Sequence, residues 1–156
     1  MKITNKTIQQ TNTGFGLIEI LVSILILAIG LLGLAGLQAT SINQNHSAYS
    51  RSQATQLAYD LADRIRSNST ASGNYITADT STAVATTCTA ASSCTPAEMA
   101  ESDLYEWNLM LTSTLPLAEA DVSQISGTYT ITINWDDNRD SLVDGNDPDF
   151  KVSFKL

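Results

Sequence analysis

The sequence predicts an α+β protein: a long N-terminal helix spans a membrane with its first half and packs its second half on a small antiparallel sheet. Three observations predict this class. Residues 15–37 are almost wholly apolar, residues 54–65 repeat apolar side chains at helical spacing, and two segments near the C-terminus alternate apolar with polar residues. At 156 residues the chain holds one domain and an anchor, so a large enzyme is not expected.

The anchor is the stretch from Phe15 to Leu37, in which only Glu19 and Ser23 are polar. As a helix rising ~1.5 Å per residue it spans roughly 35 Å, enough to cross a bilayer. It is too long for the apolar part of a secretory signal peptide, and the junction that looks processed, Gly14-Phe15, precedes it. Cleavage there would leave an anchored protein with a free amine on Phe15.

Glu19 is the unexpected residue of this anchor. A carboxylate in a membrane helix costs on the order of 3 kcal/mol or more unless a partner neutralises it. In one interpretation the side chain reaches the headgroups and is favoured by the helix N-terminus. In the other, the amine of Phe15 neutralises it, on the same helix or a neighbour, and Glu19 sets the register of packed helices. The polar leader that ends at Gly14 favours the second.

The stretch GFGLIEILVSILILAIGLLGLAGLQ resembles the N-terminal signature of type IV prepilins and pseudopilins, in which a basic leader ends in Gly, Phe follows, and Glu is the fifth mature residue. Gly14, Phe15 and Glu19 match, whereas Gly16 stands where Thr is frequent. The resemblance implies that a prepilin peptidase cleaves after Gly14 and methylates the Phe15 amine. It also implies insertion into a filament with other minor and major pilins, by an inner-membrane assembly platform.

Three further stretches, IGLLGLAGLQ, HSAYSRSQATQLAYDLADRIRSN and DLYEW, resemble PilV-type minor pilins more than major pilins. This resemblance implies a non-enzymatic subunit that primes or joins a type IV pilus. A minor pseudopilin of a type II secretion system is an alternative with the same chemistry. A membrane-anchored periplasmic binding domain, whose helix is only an anchor, is an alternative of another class.

Charge predicts the orientation. Residues 1–14 carry two lysines and no acid, whereas residues 68–156 carry three basic and thirteen acidic residues. The positive-inside rule then keeps the leader in the cytoplasm and the C-terminal part in the periplasm. The acidic part lacks the basic patch that nucleic-acid binding requires. The sequence thus predicts four parts: the leader 1–14, a transmembrane assembly helix 15–37, the periplasmic half of the same helix 38–67, and a globular part 68–156. The protein is expected in the inner membrane and in the extracellular pilus.

The second half of the helix carries an apolar stripe that needs a sheet to cover it. The stripe consists of Ala54, Leu57, Ala58, Leu61, Ala62 and Ile65. We expect one helix over 15–67, with Tyr49 and Tyr59 as packing residues and Arg64 and Arg66 at a solvated helix end. Pairing of Arg64 and Arg66 with a neighbouring subunit is the alternative. His46 is expected to be exposed, with no partner that would make it catalytic.

Residues 68–95 are rich in Ser, Thr and Ala and are expected to form a connecting loop. The loop contains Cys88 and Cys94, which an oxidising compartment favours as a disulfide, with two free thiols as the alternative. A second helix is expected to begin at a capping box formed by Thr95 and Glu98 and to end before Pro116. The alternating segments GTYTITINW and DFKVSFKL then predict an antiparallel hairpin.

The loop between the two predicted strands, DDNRDSLVDGNDPD, approaches the oxygen-ligand spacing of a calcium loop. The candidate ligands are Asp136, Asn138, Asp140, Asp144 and Asp147. Ser141 replaces the turn glycine, Asp replaces the final Glu, and strands replace the flanking helices. A solvated turn is therefore the alternative. We expect no other cofactor, because the sequence has no phosphate loop, no nucleophile paired with a histidine and no zinc ligand set.

Overall fold

The structure is a computed structural model, and it describes residues 14, 16–85, 88 and 93–156. These ranges contain two α-helices, two short 3-10 segments and one three-stranded sheet. The bounds are α1 Leu17–Ser67, 3-10 segments Ser69–Tyr75 and Thr80–Thr82, α2 Pro96–Thr114, β1 Glu119–Ile125, β2 Thr128–Asn134 and β3 Asp149–Lys155. The predicted α+β class is confirmed. The chain divides after Asn43 into two compact units, and α1 contributes residues to both.

Within the second unit, α1 buries one face. The buried residues recur every three or four positions because a helical turn contains 3.6 residues. They are Ser50, Ala54, Leu57, Ala58, Leu61, Ala62 and Ile65. Every residue of the predicted apolar stripe is therefore buried. The alanines leave room for close packing, while Leu61 and Ile65 fill the interior.

The three strands form one antiparallel sheet in the order β1-β2-β3. Ser126 and Gly127 join β1 to β2 with φ of 51° and 78°. Positive φ at both positions is typical of the type I′ turn, which matches the twist of a two-residue hairpin. In the central strand β2, Ile131 and Ile133 are fully buried. The expected pairing of β2 with β3 is present, with Ile131 opposite Val152, whereas β1 was not predicted.

One hydrophobic core fills the second unit and is shared by α1, α2 and the sheet. Its largest side chains are Trp107 and Trp135, and both are fully buried. The indole N–H of Trp107 donates to the Leu57 carbonyl at 2.8 Å. The indole N–H of Trp135 donates to a carboxylate oxygen of Asp137 at 2.9 Å. Because a buried indole N–H needs an acceptor, these bonds fix the orientation of both rings.

The helix α2 begins at the predicted capping box. The hydroxyl of Thr95 accepts from the Glu98 amide at 3.3 Å, and the Glu98 carboxylate accepts from the Thr95 amide at 2.8 Å. Pro96 occupies the first turn, where its missing N–H costs nothing. Hydrogen bonds from the amide and hydroxyl of Thr95 lower the pKa of Glu98. The helix ends at Thr114, before Pro116, as the sequence predicts.

Part of the segment between the helices is more regular than expected. Besides its two 3-10 segments, it buries Tyr75 completely. Thr77 exchanges two backbone hydrogen bonds with Val122 of β1, at 2.8 and 3.0 Å. Cys88 and Cys94 are joined by a disulfide, which is the pairing that the sequence favoured. These contacts attach the segment to the sheet at Thr77 and to the core at Tyr75.

Two expectations about side chains of α1 are wrong within this chain. Tyr49 and Tyr59 do not pack in the core, since they are 61% and 55% exposed. Both lie off the face that α1 buries. Arg64 is not at a solvated helix end, because it is partly buried and pairs with Asp60 and Asp103, each at 3.0 Å. Asp103 lies on α2, and its approach to α1 is a tertiary contact that helical periodicity does not reveal.

Candidate processing junction and assembly helix

The predicted processing junction lies where α1 begins. Gly14 and Gly16 are exposed, and a side chain built on Gly14 would meet no atom within 4 Å. Phe15, the predicted methylation site, lies outside the described residues. The Gly16 carbonyl accepts from the amides of Glu19 and Ile20 at 3.0 and 3.4 Å. Helical hydrogen bonding therefore starts directly after the junction, and the described backbone on either side of Phe15 is open.

Glu19 is the acidic residue of the first turn of α1, and it is exposed. A negative charge is favourable there because the free amides of a helix N-terminus carry partial positive charge. Within the described part of the chain, no basic side chain forms an ion pair with its carboxylate. A cationic partner for Glu19 must therefore come from outside that part or from another molecule.

The helix after Glu19 presents apolar side chains on all sides. It is the one described helix that is long and apolar enough to cross a membrane, with a mean hydropathy of 2.8 over 18 residues and none of them buried. The Ser23 hydroxyl donates to the Glu19 carbonyl at 2.7 Å. The Thr40 hydroxyl donates to the Gly36 carbonyl at 3.1 Å. These polar groups are satisfied within the helix itself, as an apolar environment requires.

Two family models match consecutive parts of the chain. The prokaryotic N-terminal methylation motif matches residues 10–35, which contain the junction and Glu19. The family model described as type IV pilin Tt1218 matches residues 36–105, which contain the second half of α1 and part of α2. The chain is a type IV prepilin-like protein. No curated protein and no solved structure gives a significant match.

The match to these families indicates what the junction and the apolar helix do in general terms. In a prepilin-like protein, the methylation motif implies processing by a prepilin peptidase and assembly with other pilins. The motif and the long apolar helix together fit a membrane-anchored pilin that is incorporated into pili. The resemblance inferred from Gly14, Phe15 and Glu19 is therefore confirmed at the level of the superfamily.

The acidic loop of this prepilin-like chain connects β2 to β3. Asp136 is only 4% exposed, and its carboxylate accepts from the amides of Asp140 and Ser141 at 3.1 and 2.9 Å. The side-chain oxygen of Asn138 also accepts from the Asp140 amide, at 2.8 Å. The first half of the loop is thus folded around side-chain oxygens that bind its own backbone.

The second half of the loop is closed by Asp147. Its carboxylate accepts from the amides of Asp144 and Asp137 at 3.0 and 2.9 Å. The bond from Asp144 is the main cause of a lowered pKa at Asp147. Among the described residues, no group of three or more His, Cys, Asp or Glu side chains is placed to hold a metal ion. Calcium binding by the five candidate ligands stays a prediction.

A polar network that the sequence did not indicate joins α1, the first 3-10 segment and α2. Tyr75 donates its hydroxyl to one oxygen of Asp103, and Arg64 donates to the other at 3.0 Å. Asn68 donates to the Tyr75 hydroxyl at 3.3 Å. Burial, reinforced by the bond to Asp103, raises the pKa of Tyr75 above its ordinary value. The network fixes the end of α1 against α2.

A second unpredicted contact joins α1 to the acidic loop. A guanidinium nitrogen of Arg139 lies 2.5 Å from Nε2 of His46. One helical residue further on, the Ser47 hydroxyl donates to Asp137 at 2.6 Å. His46 is exposed, as expected, but it contacts a residue 93 positions away. No sequence pattern signals a contact over such a distance.

Proposed function

We propose that the chain is a minor pilin, a non-enzymatic subunit that primes a type IV pilus or is incorporated into it after removal of residues 1–14. The observation that carries the proposal is the position of Glu19. It is one acidic group in the first turn of an apolar helix, directly after an open Gly14 junction, and no basic side chain in the described residues pairs with it.

The proposed mechanism starts with cleavage after Gly14. Cleavage creates the amine of Phe15, which the peptidase methylates. The amine then lies four residues before Glu19 and supplies the cation that Glu19 lacks. When helices pack side by side, the amine of one subunit pairs with the carboxylate of the next. Pairing offsets the cost of two charges in lipid and fixes the axial register of the subunits.

The proposed location follows from charge and from the apolar helix. Before assembly the chain crosses the inner membrane once, with residues 1–14 in the cytoplasm and the second unit in the periplasm. The assembly platform and other minor and major pilins are its partners. In the pilus, the helices of neighbouring subunits replace lipid around the apolar side chains of α1.

The PilV-like stretches of the sequence support a minor pilin over other members of the superfamily. A minor pseudopilin would use the same junction and the same carboxylate. Deletion of the gene distinguishes them, because loss of a pilin reduces piliation and twitching whereas loss of a pseudopilin reduces the release of secreted enzymes. An anchored binding domain would instead keep Met1 or begin near Thr40.

The test uses the full chain in its host cell, with Glu19→Gln and Glu19→Ala compared with wild type. Mass spectrometry measures the N-terminus, and shearing separates pili from membranes. We expect methylated Phe15 in all three proteins. Each variant should be at least about tenfold less abundant in pili than wild type, because removal of the carboxylate leaves the charged amine of Phe15 unpaired in lipid. A cost of 1.4 kcal/mol already corresponds to a tenfold change, and an unpaired charge in lipid costs more.

Glu19→Asp keeps the charge and should retain part of the incorporation. Ser23→Ala is the matched control, because it changes a polar residue one turn further along the same helix without removing a charge. Normal incorporation of Glu19→Gln with normal processing would refute the proposed role of the carboxylate. An unprocessed Met1 in the mature protein would refute the pilin function itself.

A further inference from the structure

One pocket of the second unit differs in charge from the rest of that unit. It has a volume of about 440 Å³ and lies between α1, the end of α2 and the acidic loop. Its lining includes His46, Tyr49, Thr112 and Arg139, and no described acidic residue lines it. Residues 68–156 carry thirteen acidic residues against three basic ones. An acid-free pocket in so acidic a region indicates a surface suited to an anionic group.

Arg139 lines this pocket without an ion pair to the acidic loop that carries it. It belongs to a loop with five aspartates, yet within the described residues it forms an ion pair with none of them. Its φ of 62° lies in the left-handed region, which is unfavourable for a residue with a side chain. The guanidinium contacts His46 instead. Since an arginine has five N–H donors, this contact leaves donors for a ligand.

The hydrogen bonds of the other donors in the pocket limit which groups can bind a ligand. The hydroxyls of Thr112 and Ser113 already donate to carbonyls of their own helix, at 2.9 Å each. The cationic donor that remains is Arg139, beside the exposed ring of Tyr49. A planar guanidinium binds a carboxylate with two parallel hydrogen bonds. Arginine and tyrosine are also enriched where protein surfaces meet.

The same chain carries a complementary surface. A second pocket, of about 330 Å³, lies at the start of β1 and is lined by Asp79, Glu119 and Asp121. No described basic residue lines it. The carboxylate of Asp79 already accepts hydrogen bonds from the amide and hydroxyl of Ser81. Glu119 and Asp121 form no ion pair within the described residues. Asp121 interacts with Lys151 through charge alone, without a hydrogen bond between the two side chains in the described residues.

We propose that the Arg139 pocket of one subunit binds the carboxylates of Glu119 and Asp121 on a second copy of this chain. The inference rests on the proposed function in so far as it takes copies to lie side by side. The contact joins two different patches, so it is heterologous and each copy keeps one unused patch after two copies pair. It would connect the outer domains, independently of the pairing at Glu19.

The first test reverses charges in the full chain. Arg139→Glu and Glu119→Arg are made singly and together, and a photo-crosslinking amino acid replaces Tyr49. Crosslinked dimers are measured in membranes and in sheared pili. Each single reversal should lower the dimer yield about tenfold, as expected for loss of a charge-assisted contact, and the double variant should restore it. Mass spectrometry should place the crosslink near Glu119 or Asp121 of the second copy.

Matched controls separate contact from folding. Arg51→Glu makes the same charge change at a different exposed arginine, which lies on α1 and does not line the pocket. It should leave the dimer yield unchanged. Arg139→Lys keeps the charge but loses the two parallel hydrogen bonds of the guanidinium, so it should retain only part of the yield, more than Arg139→Glu does. Melting curves of each purified variant in detergent establish that the second unit is folded.

Three outcomes would overturn the inference: no rescue in a folded double variant, a crosslink to a different pilin, or a crosslink to a segment without an acidic residue. Absence of the wild-type chain from pili, together with normal piliation of a strain that lacks the gene, would refute the proposed function instead. In that case the crosslink in membranes would still decide whether two copies make this contact.

Discussion

The two parts of α1 use apolar side chains in opposite ways. From Leu17 to Leu37 nearly every residue of α1 is apolar, and all are exposed; Leu25, for example, is 61% exposed. In the second unit only one stripe is apolar, and Leu61 on that stripe is fully buried. The more apolar part is thus the one that its own chain does not cover. Hydrophobicity alone predicts that a surface will be covered, and not by which molecule.

The largest expected effect tests this difference with one type of substitution. Leu61→Ala should lower the free energy of unfolding by about 2–5 kcal/mol, because it opens a cavity in the core. Leu25→Ala removes the same atoms from an exposed position and should leave the unfolding of the second unit unchanged. Chemical denaturation of the full chain in detergent measures both. Equal destabilisation would show that the first unit contributes to the fold of the second.

A smaller effect is expected where the buried stripe ends. Asp103→Ala removes the acceptor shared by Tyr75 and Arg64 and should cost about 1–3 kcal/mol, since the fully buried Tyr75 loses the acceptor of its hydroxyl and the partly buried Arg64 loses one of its acidic partners. Asp60→Ala also removes a partner of Arg64, but an exposed one, and should cost below about 1 kcal/mol. Denaturation curves of the two variants decide the order. Equal losses would mean that the network at Asp103 is not a specific support of α1.

The pH dependence of the same network is expected to be weaker still. The pKa of Tyr75 is raised in the folded chain, so the unfolded chain releases the phenol proton first. Its contribution to stability is complete below the ordinary tyrosine pKa of about 10 and decreases as the pH rises further. Melting temperatures should therefore fall less steeply above about pH 10 in Tyr75→Phe than in wild type. Parallel curves would contradict this assignment.

The smallest expected effect concerns the acidic loop. If the five candidate ligands bind calcium, the melting temperature of the second unit should be higher with calcium than with a chelator, because a ligand that binds only the folded chain stabilises it. Asp140→Asn with Asp144→Asn should abolish that difference. The same melting temperature with and without chelator would overturn the calcium prediction and leave the loop as a turn held by its own carboxylates.

Features of the fold that depend on residues close together in the sequence could be predicted, and those that depend on distant residues could not. The stripe on α1, the capping box of α2 and the alternation in β2 and β3 are local patterns, and the structure contains all of them. Strand β1, Glu119–Ile125, was missed because it is rich in polar residues and buries only Ala120 and Val122. The Asp103 network and the Arg139 contact join residues 28 to 93 positions apart. Spacing along the chain carries no signal for such pairs.

The sequence by itself determined the processing motif, the membrane-length helix with its single acid, and the class of the fold. These features depend on the composition and period of neighbouring residues, which a chain displays before it folds. Tertiary structure decided which acidic partner Arg64 meets on α2 and where the acid-free pocket forms. Packing brings distant residues to within a few ångströms of one another, and the charge around a pocket is a sum over those neighbours in space.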